Sequence, residues 1–279
     1  NLVNLINSWI LIKTLYLIEN LERYVKEYKF FDYVMSLYHF IWNVFCDWYL
    51  EFTKFIELEE FKDTMEVIIK VILAYLHPII PFVSYYIYKN LFNEIILDIN
   101  INDLVNNLNK KIDDVENVKA IDNLIELVKF IRPYVNDLLF VSKQNNIKLE
   151  NVFIYLQGLE KLFKDNYISD LLNIISLFTK SKITELSDDQ SFNKYYDLYY
   201  NDVLIRIFIE KDLIDFYRNY ILKELNNKIQ QKEKIEKLLS NNEFMNKANS
   251  DVIENYKKEL LQINEIIAKN NQIINLLGN

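Results

Sequence analysis

The stretch DVIENYKKELLQINEIIAKNNQIINLL, residues 251–277, decides the fold. Ile253, Tyr256, Leu260, Ile263, Ile267, Asn270, Ile274 and Leu277 follow one another at alternating steps of three and four residues. That spacing is a heptad a/d seam with one polar member, Asn270, and it predicts a long helix packed against another helix. The partner is legible upstream. Leu213–Leu239 carries a weaker seam of Ile221, Leu225, Ile229, Ile235 and Leu239. The Asn-rich Ser240–Ser250 lies between the two, with Ser250 or Asp251 able to cap the second helix. Two helices of this length joined by a short loop form an antiparallel hairpin of about 40 Å, at 1.5 Å per residue.

Toward the N terminus the helical period persists. Leu2–Lys26 repeats apolar residues at i, i+3 and i+4, through Leu11, Leu15, Ile18, Leu21 and Val25. Phe31–Phe55 reads as a second helix dense in aromatics, and Glu59–Leu76 as a third, stopped at His77-Pro78. Pro81 opens a fourth that runs to Leu91, and short connections imply antiparallel packing in a bundle. The polar, Asn-rich stretch 100–109 reads as a boundary. Beyond it Val118–Leu139 is helical with an interruption at Arg132-Pro133, and Val152–Leu156 and Val203–Ile209 are short β-like runs. The fold class is therefore mainly α. A helical bundle occupies residues 1–100, a helical and small α+β connector 101–212, and a coiled-coil hairpin 213–279.

Composition narrows the chemistry. The 279 residues hold 2 glycines, 3 prolines, 1 cysteine and 2 histidines. So few glycines leave no phosphate-cradling loop, and one cysteine builds neither a disulfide framework nor a cysteine zinc site. His77, before a proline in an apolar turn, reads as structural, and Cys46 as a small buried hydrophobe. The carboxylate pairs Glu59-Glu60, Asp113-Asp114 and Asp188-Asp189 sit in polar surroundings and read as solvated charge. No catalytic residue and no metal ligand set is assigned. Net charge is −8, yet residues 213–279 carry 10 basic against 9 acidic side chains, so polyanion binding must rest on local placement. The apolar run 67–88 contains Lys70, Pro78 and Pro81, which suit a buried helix and turn better than a membrane span. The chain opens on Asn1 already in helical period, with no secretory signal, and reads as a piece of a longer protein.

Specific strings go further. FCDWYLEFTK (45–54), preceded by LYHFIW (37–42) and SWIL (8–11), closely resembles the anticodon-binding domain of valyl-tRNA synthetases. LHPIIPF (76–82) resembles that family's A-H-P-x-x-P-F turn, and KLLSNNEFMNKANSDVIENYKKEL (237–260) its C-terminal arm. The matches keep the family's order and spacing, so the resemblance covers essentially the whole chain. It implies a tRNA-binding C-terminal portion of a valine–tRNA ligase, monomeric and cytoplasmic. The partners implied are tRNA(Val) and the catalytic and editing domains of the same polypeptide. ATP belongs to the whole enzyme, and no cofactor is implied for this portion. The ATP-binding signatures, the editing domain and the helix that opens the bundle are expected upstream of residue 1. Several positions depart from the family. Its Arg-Phe-Asp reads Lys29, Phe30 and Phe31, its T-E-x-[IL]-W reads 84–88 with Tyr85 for the glutamate, the second arginine of I-R-N-x-R-x-E is Val135, and the arm's A-P is Ala248-Asn249.

Anticodon recognition stacks splayed bases on aromatic rings and pairs their edges with polar groups. Trp48, Tyr49 and Lys54 are candidates, with core packing the competing role for Trp48. Arg23, Lys26 and Lys29 fall three residues apart and share a face if the helix continues, to line phosphates or simply to meet solvent. Phe30 either stacks a base or packs the core. On the arm the resemblance implies contact with the tRNA elbow, and Lys228, Lys232, Lys247, Lys257 and Lys258 are the cations available, each otherwise a solvated lysine. The rival readings are a non-catalytic helical interaction protein and a synthetase relative that has lost tRNA binding.

Overall fold

The computed structural model describes residues 2–54, 58–112, 118–184 and 194–277. The carboxylates Asp113, Asp114, Asp188 and Asp189, and Phe55, lie outside them. The chain divides into two compact units, one of residues up to 127 with 162–174, the other of 128–161 and 175 onward.

In the first unit, α1 (Leu2–Lys26) is the central helix. Leu5, Ile6, Trp9, Ile10, Leu11 and Leu21 are all buried. Its length and apolarity match those of a membrane span, and that apolar surface is used here for the core. Its polar members are satisfied from within: Trp9 Nε1–H donates to Asp122 Oδ1 (2.9 Å), Lys13 pairs with Asp122 Oδ2 (3.0 Å), and Thr14 Oγ1 donates to the Ile10 carbonyl (2.7 Å). A second rod crosses α1. It begins as α2 (Phe30–His39), widens into a π-helix over Phe40–Tyr49, and closes as the single turn α3 (Leu50–Phe52). The same unit holds α4 (Lys62–Leu76), α5 (Pro81–Phe92) and α6 (Ile101–Lys110). The Asn-rich stretch expected as a boundary is thus a helix. Asn100 caps it through its side chain on the Asn102 N–H, and Leu104 and Leu108 form its buried stripe. Glu59 is exposed and pairs with Lys62, as a solvated carboxylate should. Cys46 is half-buried rather than enclosed, and partial burial pushes its thiol up.

α7 (Val118–Gln144) continues through Pro133, which withholds one N–H from the ladder without ending the helix, against the expected interruption. Val135 is fully buried, so an arginine's place in the family pattern is a core position here.

The second unit is built on a four-stranded sheet of order β2-β1-β4-β3. Its strands are β1 (Val152–Gln157), β2 (Ser181–Ile183), β3 (Lys194–Tyr200) and β4 (Val203–Ile209); α8 (Asp165–Thr179) separates β1 from β2 in the sequence, and most of it belongs to the first unit. β1 pairs parallel with β2 and antiparallel with β4, and β3 pairs antiparallel with β4. The β3–β4 turn places Asn201 and Asp202 at φ 44° and 67°, the two-residue geometry that suits strand twist. Gly158 (φ 90°) passes this turn so closely that a Cβ would meet the Asp202 carbonyl at 2.9 Å. Val152, Ile154, Tyr196, Leu198, Ile205 and Ile207 face inward and are buried. Tyr196 and Tyr217 share a hydroxyl–hydroxyl bond of 3.1 Å.

The hairpin follows as α9 (Ile214–Ser240), a short α10 (Asn242–Lys247) capped by the Asn241 side chain, and α11 (Ser250–Leu277). α9 and α11 pack along their length. α11 starts at Ser250, with the Val252 and Ile253 N–H groups on the Asn249 carbonyl, one residue earlier than the proposed Ser250 or Asp251 cap. The α11 seam faces inward as expected, with Ile273 buried beside it. On α9 the stripe runs Tyr217, Ile221, Leu225 and Ile235, and Ile229 rides exposed at its rim. The steps there pass through Lys228 and Lys232, half-buried with their stems along the hairpin.

Two predictions follow from this packing. Trp9→Ala removes a fully buried indole and is expected to cost about 3–5 kcal/mol in urea unfolding, whereas Trp42→Ala, on an exposed ring, should stay within about 0.5 kcal/mol. Equal losses would contradict this core. Asp137, on α7, accepts from Tyr220 Oη (3.0 Å), and burial holds its carboxyl above the ordinary carboxylate range. A pKa raised on folding gives stability at low pH that is lost as pH rises through the folded value. Asp137→Asn should therefore raise Tm at neutral pH, by an amount that shrinks as pH falls toward about 4, the ordinary aspartate pKa.

Candidate nucleic-acid interface

The feature that positions the site is the corner between α1 and α2. α1 stops at Lys26 because Tyr28 adopts a left-handed conformation (φ 57°). The Lys29 N–H then reaches back to the Tyr24 carbonyl (2.8 Å) and the Tyr28 N–H to that of Val25 (3.2 Å), the pairing of a Schellman end. Four residues of corner thus expose three rings. Tyr28, Phe30 and Phe31 are 80%, 60% and 77% exposed, and Tyr28 meets Phe30 edge-on at 6.4 Å.

The cations expected here are present on a different geometry. Because the helix ends, Lys29 leaves the face that carries Arg23 and Lys26. Lys29 instead pairs with Glu27 (2.7 Å), and that bond holds the Glu27 carboxyl below and the Lys29 amine above their usual ranges. Arg23 bonds Asn20 Oδ1 (2.8 Å) and lies 5.1 Å over the Tyr24 ring, and Lys26 is exposed. Arg23 and Lys29 still lie close enough to feel one another's charge.

The α4–α5 turn joins this end of the bundle. Tyr33 Oη donates to the Tyr75 carbonyl (2.6 Å) and Tyr75 Oη to Glu22 (3.4 Å), drawing the end of α4 to the end of α1. His77 Nδ1 shares a 2.9 Å bond with Ser84 Oγ, which also donates to the Ile80 carbonyl, so this histidine fastens the turn. Just beyond, Phe82 is 88% exposed, beside Ile79, Ile80 and Val83. Tyr85, at the family's glutamate position, lies at the edge of exposure, and Tyr88, at its tryptophan position, is buried and donates to Glu94 (2.9 Å).

Other expected residues lie elsewhere. Trp48 and Tyr49 are buried; Tyr49 Oη donates to Asn7 Oδ1 (2.9 Å), and its ring meets Phe45 and Phe61. Both pack the core, and neither presents a ring to a base. Lys54 pairs with Glu51 just past the end of the rod opposite to Phe30. The rings of Tyr28, Phe31 and Phe82 were not among the candidates; left-handed Tyr28 carries no sequence signal, since glycine is the residue expected there.

On the hairpin, Lys228 bonds Gln231 (3.1 Å), and Lys232, Lys247 and Lys258 pair with Glu236, Glu243 and Glu254 (3.8, 2.6 and 3.0 Å). Lys257 is exposed with no carboxylate within 4.0 Å among the described residues.

Comparison with known families now bears on this corner. Residues 7–150, which include the whole of it, match the anticodon-binding domain of tRNA ligases. The chain belongs to that family. Valine–tRNA ligases are similar along nearly the whole of this chain. The enzyme of Mycoplasma mycoides subsp. mycoides is 30% identical over 270 residues, 90% of the chain and 28% of the relative. That of Buchnera aphidicola subsp. Acyrthosiphon pisum is 28% identical over 305, covering 99% and 29%. That of Pelagibacter ubique is 28% identical over 272, covering 90% and 29%. The chain thus spans somewhat more than a quarter of the length of the curated relatives it matches.

Proposed function

We propose that this chain is the tRNA-holding C-terminal part of a valine–tRNA ligase. It grips tRNA(Val) at the anticodon through the α1–α2 corner and at the elbow through the hairpin, while other domains of the polypeptide activate valine with ATP and charge the tRNA. The observation that carries the reading is the corner itself: exposed rings of Tyr28, Phe30 and Phe31 set among Arg23, Lys26 and Lys29, within a domain of the anticodon-binding family. Rings offer stacking surfaces to splayed bases, and the cations meet the flanking phosphates. The contribution to the reaction is positioning and discrimination.

A second reading has its own observation. Lys232, Lys247 and Lys258 are each neutralised by a glutamate, which favours a hairpin that docks on protein.

Filter retention of tRNA(Val) and a non-cognate tRNA across a salt series separates the two. Phe30→Ala should weaken cognate binding about 5- to 150-fold, the worth of one stacked base. Arg23→Ala and Lys26→Ala should each reduce the log–log salt slope by about 0.7–0.9. Lys257→Ala should do the same if the hairpin meets RNA, with Lys258→Ala close behind, and Lys54→Ala should change nothing. Equal, feeble retention of both tRNAs by a folded sample would sink the proposal.

A further inference from the structure

Lys269, toward the end of α11, has no part in the corner or in the elbow contact proposed for the hairpin. Its Nζ lies 4.1 Å from the ring centre of Tyr134 and 4.7 Å from that of Phe130. These rings stand one turn apart on α7, with centres 5.8 Å apart and planes inclined at 53°, so they form two walls of a cage. β3 flanks it: Tyr200 lies 5.3 Å from Phe130 and Tyr196 lies 6.2 Å from Tyr134. Further along α11, Ile273 and Leu277 are buried, and Lys194 of β3 donates to the Leu277 carbonyl (2.7 Å). The amine is thus seated where the end of the hairpin meets α7 and the sheet.

Two features set this amine apart. The first is the lack of a counter-charge. Lys232, Lys247 and Lys258 each pair with a glutamate, whereas the titratable groups around Lys269 among the described residues are phenols. They are Tyr134 of α7, Tyr196 and Tyr200 of β3, and behind Tyr196 the ring of Tyr217 on α9. Asp137, three residues along α7 from Tyr134, is engaged by Tyr220. Burial alone acts on the Lys269 amine and pushes it below the usual lysine range. Lys29 and Lys62, by contrast, are held above that range by their glutamates. The Tyr134 hydroxyl, buried without a hydrogen-bond partner among the described residues, offers the ammonium no acceptor either. The second feature is access. Lys269 and Phe130 are both half-buried, so the cage opens to the surface along its Phe130 wall.

We infer that Lys269 is a modification site, acylated at Nζ by small activated acyl donors of the acyl-phosphate class. An amine desolvated among apolar groups is an activated nucleophile, because its lone pair is free at a pH where solvated lysines are still protonated. The rings attract the ammonium and so return part of the lost hydration, without supplying the acceptors that water would. In the reaction the neutral Nζ attacks the acyl carbon. An N–C bond forms, the C–O bond to phosphate breaks, phosphate leaves with the electron pair, and the surplus amine proton passes to solvent. The product is an uncharged amide, which gives the two rings no cation to hold. α11 then loses a contact with α7, and the root of the hairpin loosens. Nothing in this inference depends on RNA binding.

The test uses the whole chain, acetyl phosphate as donor, and peptide mass spectrometry to follow each lysine across a pH series. Near neutral pH Lys269 should react about 3- to 10-fold faster than the exposed Lys257, and its rate should level off at a lower pH. Phe130→Ala, which admits water to the amine, should bring the rate at Lys269 down to that at Lys257, whereas simple accessibility would send it up. Tyr134→Phe keeps the ring and should leave the rate within about twofold. In hydrogen exchange, Lys269→Gln should speed the end of α11 about 3- to 10-fold, and Lys269→Arg, which keeps a cation for the rings, should not. Circular dichroism confirms that each variant is folded, and the pH series on the unaltered chain needs no variant. Reaction at Lys269 no faster than at Lys257, a rate that rises on Phe130→Ala, or equal exchange in Lys269→Gln and the unaltered chain would each overturn the inference.

Discussion

The first unit depends on one helix being buried on almost every side. Between Leu2 and Leu11 α1 presents little to solvent, so each polar group it carries must find a partner inside. Asp122 meets most of that requirement by accepting from both Trp9 and Lys13, and in doing so fixes the start of α7 against α1. The α2 rod and α4 then pack on the same helix. Burial ceases after Leu21, and from there the chain still carries large side chains with no core to receive them. The exposed corner is thus a consequence of where the core ends.

Scarcity of glycine shapes how that corner is closed. Left-handed backbone falls on Tyr28, Asn93, Asn146 and Lys180, positions where helices elsewhere commonly place glycine. Asparagine tolerates this conformation; for a tyrosine the cost is of order 1–2 kcal/mol. Tyr28 accepts that strain at the point where three rings leave the core. A strained residue among exposed aromatics and cations is where binding function is expected, and the inference runs from the observed outlier to the role.

How much of this the sequence disclosed varied with the regularity of each element. The α11 seam and the bounds of α1 were legible because a single period runs uninterrupted through each. The aromatic rod was legible as helix but not by face. From Phe40 to Tyr49 it adopts wider π turns, so a count at the α period loses phase and cannot say that Trp48 and Tyr49 turn inward while Trp42 turns out. β1 and β4 announced themselves through β-branched residues. β3 did not, because KYYDLYY puts tyrosine on both faces and erases the alternation. Pro133 misled in the other direction, since α7 is long enough to tolerate one missing N–H.

Net charge is a poor guide to the proposed binding, and the arm shows why. Glu243–Lys247 and Glu254–Lys258 are i, i+4 pairs with the glutamate first, the orientation that best supports an exposed helix. Such pairs neutralise the hairpin at a distance, which weakens long-range attraction of a polyanion. At contact the balance differs. An exposed lysine–glutamate pair is worth about 0–1 kcal/mol, so a phosphate can draw the lysine away at a small cost that the release of its condensed counterions offsets. On the proposed function, an acidic chain of this kind would meet RNA slowly rather than weakly. Its selectivity would then rest on ring surfaces held by the fold, which salt does not screen, more than on the lysines that surround them.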